Sequence, residues 1–212
     1  MSLWNGVSSF FFGNGCLGCH RVGVPLDPWL CPDCRKELRY LAKSPRRPNP
    51  DVLCLYAMTP LTKSLVYGLK YGNMPGLASY LVANALREEE SFETVREWGM
   101  KLAFIPVPLH TARMRERGYN QAEKIAFSLA GKANGIVAHA LLRKTFRVSQ
   151  TKLSRTGREN NVAGAFGWKR RFRWPSGYTP IIVDDVFTTG ATTTACLYAL
   201  EKENLAGRAK VC

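Results

Sequence analysis

Long apolar runs are missing from this chain. No stretch approaches the roughly 18 consecutive apolar residues that a membrane span requires. The short Phe10-Phe11-Phe12 run has no basic region before it, so a secretory signal is not expected. The expected compartment is the cytoplasm. Acids are also scarce: 16 Asp and Glu face 30 Lys and Arg, a formal net charge of +14. That balance suggests a polyanionic partner, either phosphate-rich small molecules or nucleic acid. Solubility alone would also account for it. What is present is ordinary for a globular protein: 46% hydrophobic and 22% charged residues in 212. This is room for one α/β domain of usual size and a small appendage.

The most informative stretch runs from Ile181 to Thr192. Ile181, Ile182 and Val183 form a β-branched run, as at the end of a buried parallel strand. Asp184 and Asp185 then put two carboxylates at that strand's carboxyl end, where open α/β sheets bind ligands. Thr188, Thr189, Gly190, Ala191 and Thr192 make a hydroxyl-rich turn, and Thr192 to Glu203 has helical character. Backbone N–H groups at a helix start can cradle a phosphate, and Gly190 permits close approach. The carboxylates can hold sugar hydroxyls or a magnesium ion. The stretch lacks the lysine of GxxxxGK[ST] and does not match GxGxxG. An ordinary strand-to-helix turn is the competing reading.

Cys16, Cys19, Cys31 and Cys34 are spaced C-x2-C-x11-C-x2-C. Two such knuckles can deliver four thiolates to one zinc ion, which would supply folding energy to a stretch with little core of its own. Two disulfides, or a redox pair, are the alternatives, the former disfavoured in a reducing compartment. His20 reads as a bystander. Cys54, Cys196 and Cys212 have no paired spacing and read as packed residues. The proline-rich Ser44–Pro50 reads as a connector, which divides the chain into a zinc-binding ribbon, 1–45, and a larger domain, 46–212.

In the larger domain, 51–58 is strand-like. Thr59 and Pro60 start a helix that stops at Lys70-Tyr71-Gly72, and Pro75 opens another. Lys70 could complement the helix dipole or contact a phosphate. Leu102 to Ile105 reads as a strand leading into Val107 and Pro108. An arginine-rich loop follows, with Arg113, Arg115 and Arg117, suited to gripping a pyrophosphate or merely solvated. Asn120 and Glu123 read as a capping box for the helix that contains Gln121. Ile136 to Leu142 is a further strand candidate. The polar stretch 143–161, with Gln150, Arg158 and Asn161, reads as a lid. Residues 139–173 hold ten Lys and Arg against one acid, with Phe146, Phe166, Trp168, Phe172 and Trp174 interleaved. That composition suits single-stranded nucleic acid, with Arg170, Arg171 and Arg173 as candidate contacts. Core packing is the other reading of the aromatics. The chain stops at Val211-Cys212, where a final strand should just be starting, and an open sheet edge is expected there.

The Asp184-Asp185 stretch resembles the phosphoribosyl pyrophosphate loop of the type I phosphoribosyltransferases. The whole chain resembles the ComF family. The residues that carry this are the four cysteines, Leu69-Lys70-Tyr71, Val107-Pro108-Leu109, Arg117 to Ala122, Gln150, Leu153, Arg158, Asn161, and Val183 to Asp185 with Thr188 to Thr192. The resemblance implies a phosphoribosyltransferase type I fold behind a zinc ribbon. It also implies binding of phosphoribosyl pyrophosphate with magnesium and a role in natural competence, the uptake of DNA as single strands, together with competence-machinery proteins. The implied reaction is attack by a nucleophile on C1 of the ribose with departure of pyrophosphate. The residues name no general base for the nucleophile. A non-catalytic factor that binds single-stranded DNA is the alternative.

Overall fold

The structure, a computed structural model, describes residues 15–41, 51–144 and 164–212. The connector at 44–50, the division at 45/46, and Gln150, Leu153, Arg158 and Asn161 of the expected lid lie outside the described residues. The elements are α1 (Pro32–Lys36), α2 (Pro60–Tyr71), α3 (Gly76–Ala85), α4 (Glu89–Glu97), β1 (Leu102–Pro106), α5 (Thr111–Arg117), α6 (Gln121–Ala133), β2 (Ile136–Val137), β3 (Leu141–Arg143), β4 (Phe166–Trp168), β5 (Thr179–Val183), α7 (Ala191–Glu201), a 3-10 turn (Ala206–Arg208) and β6 (Lys210–Val211).

The main sheet has the order β2-β1-β5-β6, and its pairings are all parallel. Alternation along the strands builds two cores. Leu102, Phe104, Ile181 and Val183 point to one face, packing with Val82 of α3 and Ala126 and Leu129 of α6. Ala103, Ile105 and Ile182 point to the other, packing with Ala195, Ala199 and Leu200 of α7 and with Phe166. Both faces of the strands are covered, so near-continuous apolar runs are what these strands need. The chain is α/β, as expected, with helices on both faces of a parallel sheet.

The cysteine module is not set apart from this body. Leu17, Leu30 and Leu38 share a core with Leu61, Leu65 and Leu69 of α2 and Leu77 of α3, and Ser64 Oγ donates to Leu17 O at 2.8 Å. Thr59 caps α2 with a capping box in which Thr62, at N3, replaces the usual Glu.

Five local expectations are corrected. The 51–58 stretch is no continuous strand: Val52 bridges Val211 in parallel, whereas Tyr56 bridges Tyr40 antiparallel. Two partners on different sides break the ladder. The same Val52 bridge, with Leu53 N donating to Val211 O at 2.8 Å, covers the outer side of β6, so the edge expected to be open is partly paired. Ile136–Leu142 splits, because the ladder ends at Ala138 and the chain leaves the main sheet for the antiparallel β3–β4 ribbon. The arginine-rich loop is largely helical: His110 Nδ1 accepts from Ala112 N at 3.2 Å to start α5, and Gly118 ends it at φ +74°. Asn120 caps α6 through Ala122 N, but Glu123 faces His139 instead of closing a capping box.

Candidate functional site

The connections decide where a cleft forms. From β1 the chain crosses through α6 to β2 on one side, and from β5 it crosses through α7 to β6 on the other. Their carboxyl ends lie side by side, Pro106 in register with Val183, and Val107 N donates to Val183 O at 2.9 Å. The loops that follow must diverge, which opens a crevice at this switch point. Asp184 and Asp185 stand on one lip of it, and the 107–120 segment forms the other.

The acidic pair is less exposed than its place after a strand implied. Asp184 is half-buried, and its Oδ1 accepts from Asp185 N at 2.9 Å. Burial, and then the charge of Asp185, push the Asp184 carboxyl up to about 6, against the pull of Lys70. Asp185 Oδ2 is paired with Lys70 Nζ at 2.8 Å. The lysine at the end of α2 is thus neither a dipole complement alone nor a distant phosphate candidate: it faces the carboxylates directly. A largely apolar cavity of about 300 Å³ lies beside the pair, bordered by Tyr56, Met58, Val66 and Phe187.

The turn closes through Gly190, left-handed at φ +76°. A Cβ there would come 3.2 Å from the Phe187 ring. Thr189 Oγ1 accepts weakly from Ala191 N at 3.4 Å. Thr188, Thr189, Ala191 and Thr192 are exposed, so their polar groups face solvent at the start of α7. Thr193, which the motif did not include, is buried and donates its hydroxyl to Gly190 O at 2.7 Å, fixing the turn. Threonine three residues beyond Gly190 was the available signal.

On the opposite lip the candidates divide. Val107 is buried and bonded to β5; Pro108 is half-buried. Asn120 is buried, with its amide donating to Val107 O at 2.9 Å and its oxygen accepting from Ala122 N, so it braces the loop. Gln121 is buried, and its Nε2 has no hydrogen-bond partner. Arg113 is exposed and paired with Glu116. Arg117 lies over the Tyr71 ring, 4.9 Å from its centroid, and donates to Tyr71 Oη at 3.3 Å. Because Tyr71 follows Lys70, these contacts bring Arg117 to the lip that carries the ion pair.

Arg170, Arg171 and Arg173 are exposed, but the fold does not bring them to the acidic pair. They lie on the segment that enters β5 at its amino end, where Thr179 N donates to Lys101 O; the pair leaves at the other end. Their aromatic neighbours pack together: Trp168, Phe172 and Trp174 stand 5.5–6.5 Å apart and lie against the core.

The four cysteines converge, with all four sulfurs within 4.8 Å of one another. Cys19 Sγ and Cys31 Sγ are 3.8 Å apart, which matches the about 3.8 Å edge of a tetrahedron with Zn–S bonds of about 2.3 Å. Backbone N–H groups of Gly18 and Cys31 donate to Cys16 Sγ, both at 3.3 Å. Arg21 Nε donates to Cys19 Sγ at 3.3 Å, and this contact draws the Cys19 thiol down to about 6. A Cβ on Gly18 would sit 2.8 Å from Cys34 Sγ, so the knuckle closes only around glycine. This donor set suits a thiophilic ion. His20 is exposed and outside the group. Among the described residues no helix is long and apolar enough to cross a membrane.

No protein-family model matches the chain, and no solved structure does. Curated proteins do. Competence protein F of Haemophilus influenzae is 27% identical over 202 residues, 88% of this chain and 84% of that protein. The DNA utilization protein YhgH of Salmonella typhimurium is 30% identical over 175 residues, 77% of this chain and 74% of its own length. That of Escherichia coli O157:H7 is 30% identical over 189 residues, 84% of this chain and 79% of its own. At this identity and coverage the chain belongs to the ComF family, that of competence protein F and DNA utilization protein YhgH.

Proposed function

We propose that the crevice between β1 and β5 binds phosphoribosyl pyrophosphate together with magnesium, and that the protein serves the uptake or use of DNA in the cytoplasm alongside competence-machinery proteins. The observation that carries the first part is the acidic pair at the switch point, followed by a threonine and glycine turn that opens a helix. Asp184 and Asp185 hold the ribose hydroxyls. The backbone and hydroxyls of Thr188 to Thr192 hold the 5′-phosphate at the start of α7. Lys70, paired with Asp185, and Arg117, held over Tyr71, would meet the pyrophosphate. Two carboxylates with substrate phosphates are an ordinary oxygen set for magnesium, which when bound would offset the charge of the leaving pyrophosphate. The reaction class this supports is displacement of pyrophosphate at C1 of the ribose. The names of the relatives are the ground for the second part.

The cysteines hold one zinc in a structural role, since four thiolates close the coordination sphere and leave no open position. The ribbon at 1–45 is, in this reading, a metal-stabilised brace against α2 of the larger domain.

Calorimetric titration with phosphoribosyl pyrophosphate and magnesium tests the site. Asp184→Asn with Asp185→Asn abolishes binding while leaving the fold intact; normal binding by that variant would refute the assignment. A second reading, binding of single-stranded DNA, is favoured by the net charge of +14. It predicts affinity that falls by about 0.7 log units per log unit of salt for each phosphate contacted. Replacing Arg170, Arg171 and Arg173 with Ala reduces that slope if they touch phosphates.

A further inference from the structure

We propose that Tyr67, Tyr71 and Arg117 form a base-stacking ledge for single-stranded DNA at the mouth of the crevice. This rests on the reading of DNA as a partner and supplies the surface that the sequence had placed at Arg170–Arg173. Three observations carry it. Tyr67 and Tyr71 are 51% and 49% exposed, large aromatic faces left in water on a helix whose other large apolar side chains are buried or half-buried. Their rings lie 4.8 Å apart at 44°, and the Arg117 guanidinium covers Tyr71 at 4.9 Å. Arg117 Nη2 donates to Tyr71 Oη at 3.3 Å, which holds the cation beside the rings. The aromatics of 168–174, by contrast, lie against the core.

Charge selects the partner. α2 carries Lys63 and Lys70 and no acid, and Lys63, Tyr67 and Tyr71 follow one another at four-residue intervals on its exposed side. Arg115 adds another exposed cation from α5. A protein surface with aromatic faces interleaved with cations fits bases that stack and a backbone that is anionic; duplex DNA hides its base faces, so only a single strand can use the rings. The ledge adjoins the site because Lys70, beside Tyr71, is bonded to Asp185.

The test is fluorescence anisotropy of a labelled oligothymidylate with the full chain, repeated over a range of salt. Tyr67→Ala with Tyr71→Ala lowers affinity about tenfold or more and leaves the salt slope unchanged, since stacking releases no counterions. Arg117→Ala lowers the slope by about 0.7. Tyr67→Phe with Tyr71→Phe retains affinity, because the rings remain. If the unmodified protein does not bind, the DNA reading fails and takes the ledge with it. If it binds and the folded alanine variant binds equally, or the phenylalanine variant loses as much as the alanine one, the ledge alone is overturned. Photo-crosslinking of a bromodeoxyuridine-substituted strand to the unmodified protein needs no variant. Peptides holding residues 67–71 carry the adduct if the ledge is used, and adducts confined elsewhere would refute it.

Discussion

Asp184→Asn should stabilise this protein at neutral pH and leave its stability unchanged near pH 4. The folded state holds the Asp184 proton up to about pH 6, whereas an aspartate in the unfolded chain releases it near 3.9. Between those values the folded state binds more protons than the unfolded one, so stability falls as pH rises and then levels off above about 6. About two pKa units at 1.36 kcal/mol each give a penalty of about 3 kcal/mol at pH 7.5. Asparagine has no proton to lose, and its Oδ1 can still accept the bond that Asp184 accepts from Asp185 N at 2.9 Å. Urea unfolding at steps from pH 4 to 8 reads the difference between variant and parent. It should be near zero at pH 4, grow by about 1.4 kcal/mol per pH unit to about pH 6, and stay flat beyond. Comparing the two proteins at each pH cancels the titration of their other carboxylates. A variant destabilised at pH 7.5, or a difference independent of pH, would refute the reasoning. The burial that disfavours this carboxylate is opposed by any cation or sugar bound beside it, the usual conflict between stability and a working site.

The cysteine cluster should carry about one zinc per chain by elemental analysis; Cys16→Ser or Cys34→Ser should lose it and become protease-sensitive over the first 45 residues. Metal-free protein with its thiols intact would refute the site. Lys70→Met removes the partner of a mostly buried carboxylate and should cost about 1–3 kcal/mol, between the exposed and buried limits for ion pairs; an unchanged thermal melt at pH 7.5 would show that the pair contributes nothing. Gly190→Ala forces a side chain into a left-handed conformation at φ +76° and should cost about 1–2 kcal/mol, read by circular dichroism melting, with weakened phosphosugar binding by calorimetry.

Elements set by local chemistry could be read from the chain. Thr59-Pro60 starts α2 and Asn134 ends α6 in a left-handed cap, because caps and turns depend on neighbours a few residues away. The β-branched run before Asp184 is a strand for the same reason, since its pattern already implies two covered faces. The helical α5 was less visible. Its arginines drew attention to charge, although His110 before it and Gly118 after it are capping residues.

The four cysteine sulfurs could be brought together on paper from spacing alone, because each knuckle closes within a few residues and the second lies only 11 residues on. The crevice could not. Lys70 and Asp185 are 115 positions apart, and nothing in either neighbourhood encodes their meeting. It follows from the crossing of α6 and α7 to opposite sides of the β1–β5 pair. The same holds for Arg117 over Tyr71, and for the separation of Arg170–Arg173 from the acidic pair by the length of β5. Composition made that basic stretch look like part of the mouth. A strand has two ends, however, and only the direction in which the chain enters the sheet determines which residues reach the ligand and which lie on the far side.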